Sequence, residues 1–566
     1  TVAQRAREFA TLRTLGATRR QVMRSVLLES FVLGVLASVT GLFLGLALAK
    51  GLNAVFKALS IDLPQAGTVF ATRTVIVSLL LGTVITVVSS FVPARRATRV
   101  PPIAAAREGS VLPPPPITRF STGSAWGLVV AAVASMAVGS FARGLSTAAT
   151  LLLLGLGALA LFIGVALVAK RLVRPLAEVI GAPGARFGGS PGRLARENSL
   201  RAPARTAATA AALMIGLALV TLVATLGAGL RDSDKEALAK QVRAQYVITS
   251  QTGFTQFPAS AVRELPKVPG VRMATAVLDD NARIFGKSTR IEGIDPAAIA
   301  QAYDFQWTGG ATDAVLATLG SDGAIVKKTW ADDHKLKAGS SFTLLSPSGK
   351  RMTATVRGIS NPPVFDKIDP LLGDVMISQQ AFREHFPSPG LTLAFANLEP
   401  GASAALAPHL EQALKAFPDA KIQTRADWIA ERAKGINQLL NLLYVLLALS
   451  VIVSLFGMVN TLVLSVFERT RELGMLRAVG MTRRQVRAMI RKEAILTALV
   501  GAVLGIPLGI GLAALLGHAI GYPAFTIPWR SLLVFVNAAI FVGLLAAIFP
   551  ARRAARLNVL QALQYE

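Results

Sequence analysis

Two short stretches carry residue types that could perform chemistry, and the first is FGKST at residues 285–289. A glycine followed by lysine and a hydroxyl residue is typical of a loop that holds nucleotide phosphates. The full pattern, G-x-x-x-x-G-K-[ST], requires glycine at position 281, where the chain has Asn281. The stretch therefore predicts no nucleotide site, and we do not expect this chain to hydrolyse ATP.

The second stretch is GGSPG at residues 188–192, which would present Ser190 as a nucleophile. In that motif the residue after the serine donates a backbone N–H to the oxyanion, and Pro191 has none. No spacing typical of metal ligands appears among the four histidines, and the chain has no cysteine. We therefore expect a non-catalytic protein with no metal site and no cofactor of its own.

A repeated basic phrase is the most specific pattern in the sequence. RTRELGMLRAVGMTRRQV occupies residues 469–486, and RAREFATLRTLGATRRQV occupies residues 5–22. After each copy come a glutamate, Glu493 or Glu29, and a glycine-spaced apolar run. A further apolar run then ends in PARRAAR or PARRATR. The chain therefore contains one structural unit at least partly twice.

Each phrase reads as a helix, a break and a second helix. Apolar residues recur at three-residue steps before the break, which predicts a narrow apolar stripe. A glycine stands where the first helix would end, and a Thr-x-x-Gln box would open the next helix. These residues are Leu473, Leu476, Val479, Gly480, Thr482 and Gln485 in the second copy, and Leu12, Leu15, Gly16, Thr18 and Gln21 in the first.

Two roles remain open for such a surface helix. A basic helix can lie on anionic lipid, which would explain the arginines. The acidic residues Glu8 and Glu472, at the same position in both copies, favour docking into a groove of a protein instead.

The composition is that of a membrane protein. Of the 566 residues, 52% are hydrophobic and 16% are charged, against about 25% charged in soluble proteins. The net charge of +27 would suit nucleic acid, but its distribution does not. About half of the 59 Lys and Arg lie in short segments beside apolar runs, at 1–24, 95–120, 170–205, 466–492 and 551–566. Such loops mark the cytoplasmic side, so we expect a bilayer and not nucleic acid as the partner.

Eight apolar runs are long enough to cross a bilayer, which takes about 20 residues. They are 24–50, 74–94, 124–142, 147–169, 207–230, 438–464, 494–518 and 530–549. If every basic segment is cytoplasmic, both ends of the chain are cytoplasmic and residues 231–430 lie outside. That segment alternates short β-rich runs, such as GAIVKK and TATVRGI, with turn residues and one helical pattern. We expect an α-helical polytopic membrane protein with one mixed α/β extracytoplasmic domain.

A few residues inside the spans suggest how the helices pack. Small residues four apart allow close approach in lipid, and we expect this of Gly41 and Gly45 and of Gly501, Gly505 and Gly509. A substrate path is the alternative for these glycines. Asn460 is polar within a span, which favours a hydrogen bond to another helix, with substrate contact as the alternative.

The phrase, the glycine-rich span after it and the closing PARRAAR resemble the FtsX-like, MacB-type permeases of ABC transporters. That family's corresponding helix is a coupling helix, which sits in a cleft of a separate ATPase subunit. Two copies would serve an ATPase dimer, which would itself bind ATP and Mg. The resemblance implies contact by Arg5, Arg7, Glu8, Leu12, Arg13, Gly16 and Thr18, and by Arg469, Arg471, Glu472, Leu476, Arg477, Gly480 and Thr482.

The resemblance also implies a bacterial plasma membrane and export of a peptide, antibiotic, lipid or lipoprotein. The alternative is a regulator that transports nothing and transmits motion to a cell-wall hydrolase. A periplasmic or cell-wall protein would then be a further partner.

By the same resemblance the chain divides into seven segments. These are a partial first permease unit (1–108), a Pro-rich linker (109–122), two linking spans (123–170), a basic cytoplasmic segment (171–206), a span (207–230), the external domain (231–430) and a second permease unit (431–566). Family members with fused halves usually have ten spans and two external domains. We therefore expect that the first unit is truncated in this sequence, as a fragment or from a misplaced start.

Overall fold

The computed structural model describes residues 6–58, 71–97, 117–142, 144–251, 255–362, 371–387, 390–402, 406–520 and 525–559. The chain divides into two compact units, Thr1–Ala125 and Trp126–Glu566. In the first unit a short helix, α1 (Ala6–Thr14), precedes two long apolar helices, α2 (Arg19–Ala58) and α3 (Thr72–Ala97). Small residues let α2 and α3 approach closely, because a Cβ at Gly34 would lie 3.1 Å from the Thr83 Cα.

The second unit contains most of the long helices. They are α4 (Ile117–Phe141, in this unit from Trp126), α5 (Thr147–Phe187), α6 (Gly189–Arg201), α7 (Pro203–Gln241), α13 (Arg425–Glu468), α14 (Thr470–Ala478), α15 (Arg483–Ile520) and α16 (Trp529–Ala555). Among the described residues, eight helices are long and apolar enough to cross a membrane, as predicted. They are α2, α3, α4, α5, α7, α13, α15 and α16.

The boundaries of several helices differ from the sequence prediction. Helix α4 begins at Ile117, within the predicted linker 109–122, of which residues 109–116 lie outside the described part of the chain. Helix α5 continues to Phe187, well beyond the apolar run 147–169. Hydropathy detects the apolar length alone, whereas a helix continues through polar residues until a breaker or a cap ends it.

Two of the spans continue into the external domain. Helix α7 extends past the predicted end at residue 230 to Gln241, and α13 begins at Arg425 instead of 438. The two helices are joined along their length: Arg231 donates a hydrogen bond to the Asn437 side chain (3.0 Å), and Ser454 donates one to the Ala212 carbonyl (2.8 Å). The domain is therefore attached to the membrane by a pair of packed helices.

The external domain is a mixed α/β structure, as expected. Its strands are β1 (Tyr246–Ser250), β2 (Val271–Ile284), β3 (Lys287–Ile294), β4 (Gly323–Lys327), β5 (Ser341–Leu345), β6 (Arg351–Ser360), β7 (Val375–Ser378), β8 (Gly390–Leu398) and β9 (Ala420–Thr424). Short helices lie between them: α8 (Ser260–Glu264), α9 (Pro296–Ala302), α10 (Lys328–Asp333), α11 (Gln379–His385) and α12 (Ala407–Ala413).

The strands form one sheet in the order β3-β7-β4-β6-β5-β2-β8-β1-β9. Strand β2 also pairs with β3, so six of the strands close into a ring. Apolar residues at alternate positions of β2, among them Ala282 and Ile284, are buried in the core of the domain. A second cluster, around Phe305, Phe395 and Trp428, packs the sheet against the start of α13.

The two stretches whose residue types could perform chemistry, FGKST and GGSPG, have structural roles here. FGKST contains the tight turn between β2 and β3, and Phe285 (φ 49°) and Gly286 (φ 78°) form its tip. Ser190 lies in the first turn of α6, with no strand before it among the described residues. Neither stretch has the strand-to-helix context that its motif would require.

Candidate functional site

The second copy of the phrase forms a helix, a sharp turn and the start of a long helix. Helix α14 ends at a glycine with a left-handed backbone, Gly480 (φ 113°), after which the Met481 N–H donates to the Leu476 carbonyl (3.0 Å). The Thr482 N–H then donates to the Gln485 side chain (2.8 Å), and the Gln485 N–H donates to the Thr482 hydroxyl (3.3 Å). The predicted glycine break and capping box are confirmed.

The first copy has the same geometry. Gly16 has a φ of 102°, and the Ala17 N–H donates to the Leu12 carbonyl (2.9 Å). The reciprocal bonds between Thr18 and Gln21 measure 2.8 and 3.3 Å, as in the second copy. Because these contacts are all local, the same residues produce the same turn in both units.

Both copies also rest on the same kind of apolar base. In the first unit Phe9 of α1 packs with Val22 and Val26 of α2 and with Ala94 of the PARRATR stretch. In the second unit the matching residues of α14, α15 and PARRAAR form a cluster, namely Leu473, Val486, Ile490 and Ala551. The alanine of each PARR stretch is thus buried beneath the short helix, which explains why the stretch recurs with the phrase.

The apolar stripe predicted on the short helix does not face one partner. Leu473 points into the base, Leu476 is half-buried, and Val479 is 89% exposed. In the first copy Leu12 is 49% and Leu15 is 81% exposed. The residue before the glycine, Val479 or Leu15, therefore forms an exposed apolar tip, because the helix axis ends there and leaves it without neighbours. The resemblance had not assigned contact to these two residues, although the apolar run before the glycine contained them.

Arg469 and Glu472, which were expected to face a partner, are tied to the chain's own helices. Arg469 is 13% exposed and donates to both oxygens of Glu472, at 2.8 and 2.9 Å. These hydrogen bonds lower the pKa of Glu472, so the carboxylate stays charged at neutral pH. A third guanidinium nitrogen of Arg469 lies 3.4 Å from Glu493 on α15. The pair is thus an internal anchor of α14.

Glu493 is the centre of a network that joins five helices, α6, α7, α13, α14 and α15. Besides Arg469, it contacts Arg205 of α7 at 3.8 Å and accepts a hydrogen bond from Asn198 of α6 at 3.4 Å. Arg205 also lies 3.9 Å from Glu468, the last residue of α13. A buried carboxylate requires such partners, because its charge is costly without them. The sequence showed Glu493 only as a glutamate at a membrane edge.

The other predicted contact residues differ in exposure, and the side chains of three of them are not described. Arg471 is exposed on α14, while Arg477 is half-buried and donates to the Leu557 carbonyl. In the first copy Arg13 is half-buried. Arg5 lies outside the described residues, and for Arg7 and Glu8 the backbone helix alone is described.

The glycine faces of the two units differ. Gly501, Gly505 and Gly509 lie against α7: a Cβ at Gly505 would be 2.6 Å from the Met214 carbonyl oxygen, and one at Gly509 would collide with that of Ala218. Gly41 and Gly45 have open space around them, so the packing expected there is absent among the described residues. In the first unit α3 packs on another face of α2, at Gly34.

Within the described part of the chain, Asn460 makes no hydrogen bond to another helix, although its position suggested one. Its side chain is exposed on α13, and it makes no hydrogen bond with the described residues. A polar contact near this position comes instead from Thr209 of α7, whose hydroxyl donates to that of Thr461 on α13 (3.1 Å).

Comparison with known families identifies the repeated parts. The model described as "FtsX-like permease C-terminal" matches residues 1–102 and again 444–559. The model described as "MacB-like periplasmic core domain" matches residues 206–413, which contain α7 and most of the external domain. Each of the two matched permease segments contains one copy of the phrase.

Individual relatives extend the match. An uncharacterised ABC transporter permease of Mycobacterium tuberculosis is 26% identical over all of this chain and 67% of its own length. A macrolide export ATP-binding/permease protein, MacB of Rhodopirellula baltica, is 36% identical over 25% of this chain and 21% of its own length. The periplasmic region of MacB from Actinobacillus actinomycetemcomitans covers 34% of this chain and 94% of its own length, at 13% identity and a TM-score of 0.25.

Proposed function

Because the chain is an ABC transporter permease of the FtsX-like and MacB-like type, we propose that α1 and α14 are coupling helices for a separate ATPase dimer. ATP and Mg would be bound by that partner. The permease itself would convert a displacement at the helices into a rearrangement of the external domain, without catalysing a reaction.

The observation that carries this proposal is the exposed apolar tip on a fixed base. Val479 and Leu15 project from helices whose other faces are held by a buried cluster and by a capped turn. Burying one such side chain in a partner contributes about 1.5–3 kcal/mol, which favours a protein groove as its place. The tips would therefore enter the ATPase, while the exposed Arg471 would lie at the rim of that contact.

The buried network supports a path from the tip to the external domain. Arg469, at the junction of α13 and α14, contacts Glu493 of α15, and Glu493 contacts Arg205 of α7. Helices α7 and α13 run without interruption into the domain and pack on each other. A movement of α14 would thus pull on both helices that hold the domain.

Export of a molecule from the outer face of a bacterial plasma membrane is the activity we propose, with both ends of the chain in the cytoplasm. The basic segments beside the spans support that orientation. An α/β domain on two packed membrane helices supports a substrate taken up outside the membrane, such as a peptide, antibiotic, lipid or lipoprotein. Both export and mechanical control of a hydrolase would use the same path.

The test of the coupling proposal substitutes only the two residues of the exposed tips. Val479→Asp, Leu15→Asp and the double variant would be purified in mild detergent beside the wild type, and co-purifying ATPase would be quantified. We expect each single variant to retain about a tenth of the ATPase and the double variant to retain almost none, because a charge in an apolar groove costs more than 1.4 kcal/mol.

Val179→Asp is the matched control, since Val179 is also an exposed valine, on α5, outside the phrase. It should co-purify as much ATPase as the wild type. Equal ATPase retention by the tip variants and the control would contradict the coupling proposal.

A further inference from the structure

An arginine-lined groove lies on the first turns of α15, outside the network already described. Its lining consists of Arg484, Gln485, Arg487, Ala488 and Arg491, around an open volume of about 430 Å³. The three arginines recur at i, i+3 and i+7, which places them on one face of the helix. Ala488, with its short side chain, also lines the groove.

These arginines are not neutralised by the parts of the chain that the structure describes. No described carboxylate lies within 4.0 Å of any of the three, and Glu493 is engaged on another face by Arg469 and Arg205. To the described residues the three arginine side chains donate one hydrogen bond, a long one from Arg487 to the Arg483 carbonyl (3.4 Å). Three unpaired positive charges on one face favour a bound anion.

The first copy of the phrase shows that the groove is not part of the coupling helix. The copies agree through Thr-Arg-Arg-Gln-Val and then diverge. At the matching positions Arg487 is replaced by Met23, Ala488 by Arg24 and Arg491 by Leu27. A function shared by both copies therefore does not require this set.

The position of the groove along α15 identifies its ligand. The apolar run of the helix begins at Ala494, so at 1.5 Å per residue Arg491 lies about 5 Å and Arg487 about 10 Å from the hydrocarbon edge. The headgroup layer on each side of a bilayer is roughly 5–8 Å thick. Arg491 thus lies within the headgroup layer and Arg487 at its outer border, whereas Arg484, about 15 Å from the hydrocarbon edge, lies beyond it. Arginine binds phosphate with two parallel hydrogen bonds, which suits a lipid phosphodiester. We propose that Arg487 and Arg491 bind the headgroup of an anionic phospholipid.

The experiment replaces the two arginines with the residues of the first copy. Purified wild type and the double variant Arg487→Met/Arg491→Leu would be titrated with phosphatidylglycerol and with phosphatidylcholine, and bound lipid would be counted by native mass spectrometry. At about 1 kcal/mol per arginine, we expect about thirty-fold weaker phosphatidylglycerol binding in the variant and little change for phosphatidylcholine.

Two controls separate this proposal from its rivals. Arg186→Met, at an exposed arginine on α5, should bind phosphatidylglycerol like the wild type, and Arg487→Gln/Arg491→Gln should repeat the loss without added apolar surface. Glycerol 3-phosphate at the same concentration should not displace the lipid. Unchanged phosphatidylglycerol binding in both double variants, displacement by glycerol 3-phosphate, or loss of the ATPase partner with lipid binding intact would overturn the proposal.

Discussion

The two copies of the phrase have one local structure in two different settings. Their turns agree in every hydrogen bond, with left-handed glycines at 102° and 113°. The glutamates that follow do not agree: Glu493 is buried among Arg469, Arg205 and Asn198, while Glu29 is exposed. The turn needs only neighbours in sequence, whereas the burial of Glu493 needs α6 and α7, which are more than 200 residues away.

The glycines that follow the phrase show the same contrast. On α15 they let the backbone of α7 approach to contact distance, and on α2 the matching Gly41 and Gly45 face open space. A small residue permits close packing but does not supply the partner. The second unit therefore has a helix packed on this glycine face, which is uncovered among the described residues of the first unit, and substitutions can measure how much this difference contributes to stability.

The largest difference in stability loss between the two copies is expected from the paired variants Glu493→Gln and Glu29→Gln. Removing the buried charge leaves Arg205 with Glu468 alone and Arg469 with Glu472 alone, at a cost of about 4 kcal/mol to the attachment of α14. Glu29→Gln, at an exposed site, should cost about 0.5 kcal/mol or less. Hydrogen exchange of the amides in the two phrases measures both. Equal effects would show that the network does not anchor α14.

The second-largest difference in stability loss is expected between Gly509→Leu and Gly45→Leu. A side chain at 509 would collide with the α7 backbone, which cannot move aside as a rotamer can, and we expect a loss of about 3 kcal/mol. At 45 the side chain would meet nothing among the described residues and should cost little. Unfolding midpoints in the same detergent give the comparison. Similar losses at both sites would mean that an unseen partner covers Gly45.

Glu292 of the external domain tests how the burial of a carboxyl group affects the stability of the folded domain. It is fully buried beside a single arginine, Arg290 (2.9 Å), and burial raises its pKa to about 7, against the attraction of Arg290 and Lys327. The folded chain thus holds this proton more tightly than the unfolded chain, and stability falls as pH rises from about 4.5 to about 7.

Glu292→Gln should therefore stabilise the domain by about 2 kcal/mol at pH 8 and have almost no effect at pH 4.5. Hydrogen exchange of β3 in the intact protein measures this at both pH values, with Glu384→Gln, at an exposed glutamate, as the control. A loss of stability at pH 8 would show that the contact with Arg290 outweighs the cost of burial.

The smallest effect is expected where the two copies agree. Thr482→Ala and Thr18→Ala each remove a hydroxyl that accepts from the N–H three residues on, at a cost of about 1 kcal/mol. Because the boxes are alike, the two losses should match within about 0.5 kcal/mol when local hydrogen exchange is compared. Unequal losses would show that the setting of the phrase also affects its cap.

Much of the fold could be predicted because it depends on short stretches. A span requires only about 20 apolar residues, and all eight were found in the sequence. Strands such as Gly323–Lys327 were recognisable from their apolar runs. Strand β2 was missed because Asp279, Asp280 and Asn281 interrupt its pattern, although these residues pair across to β3. Which strand pairs with which cannot be recognised from the sequence of one strand alone.

In the candidate site, too, some features could be predicted from the sequence and others could not. The sequence by itself determined the two helix breaks, the capping boxes and the spans, since each follows from residues a few positions apart. Only the tertiary structure decided that Arg469 and Glu472 turn inward, that Val479 and Leu15 project outward, and that Asn460 is exposed. The direction in which a side chain points depends on which helices pack around it, and those helices come from distant parts of the chain.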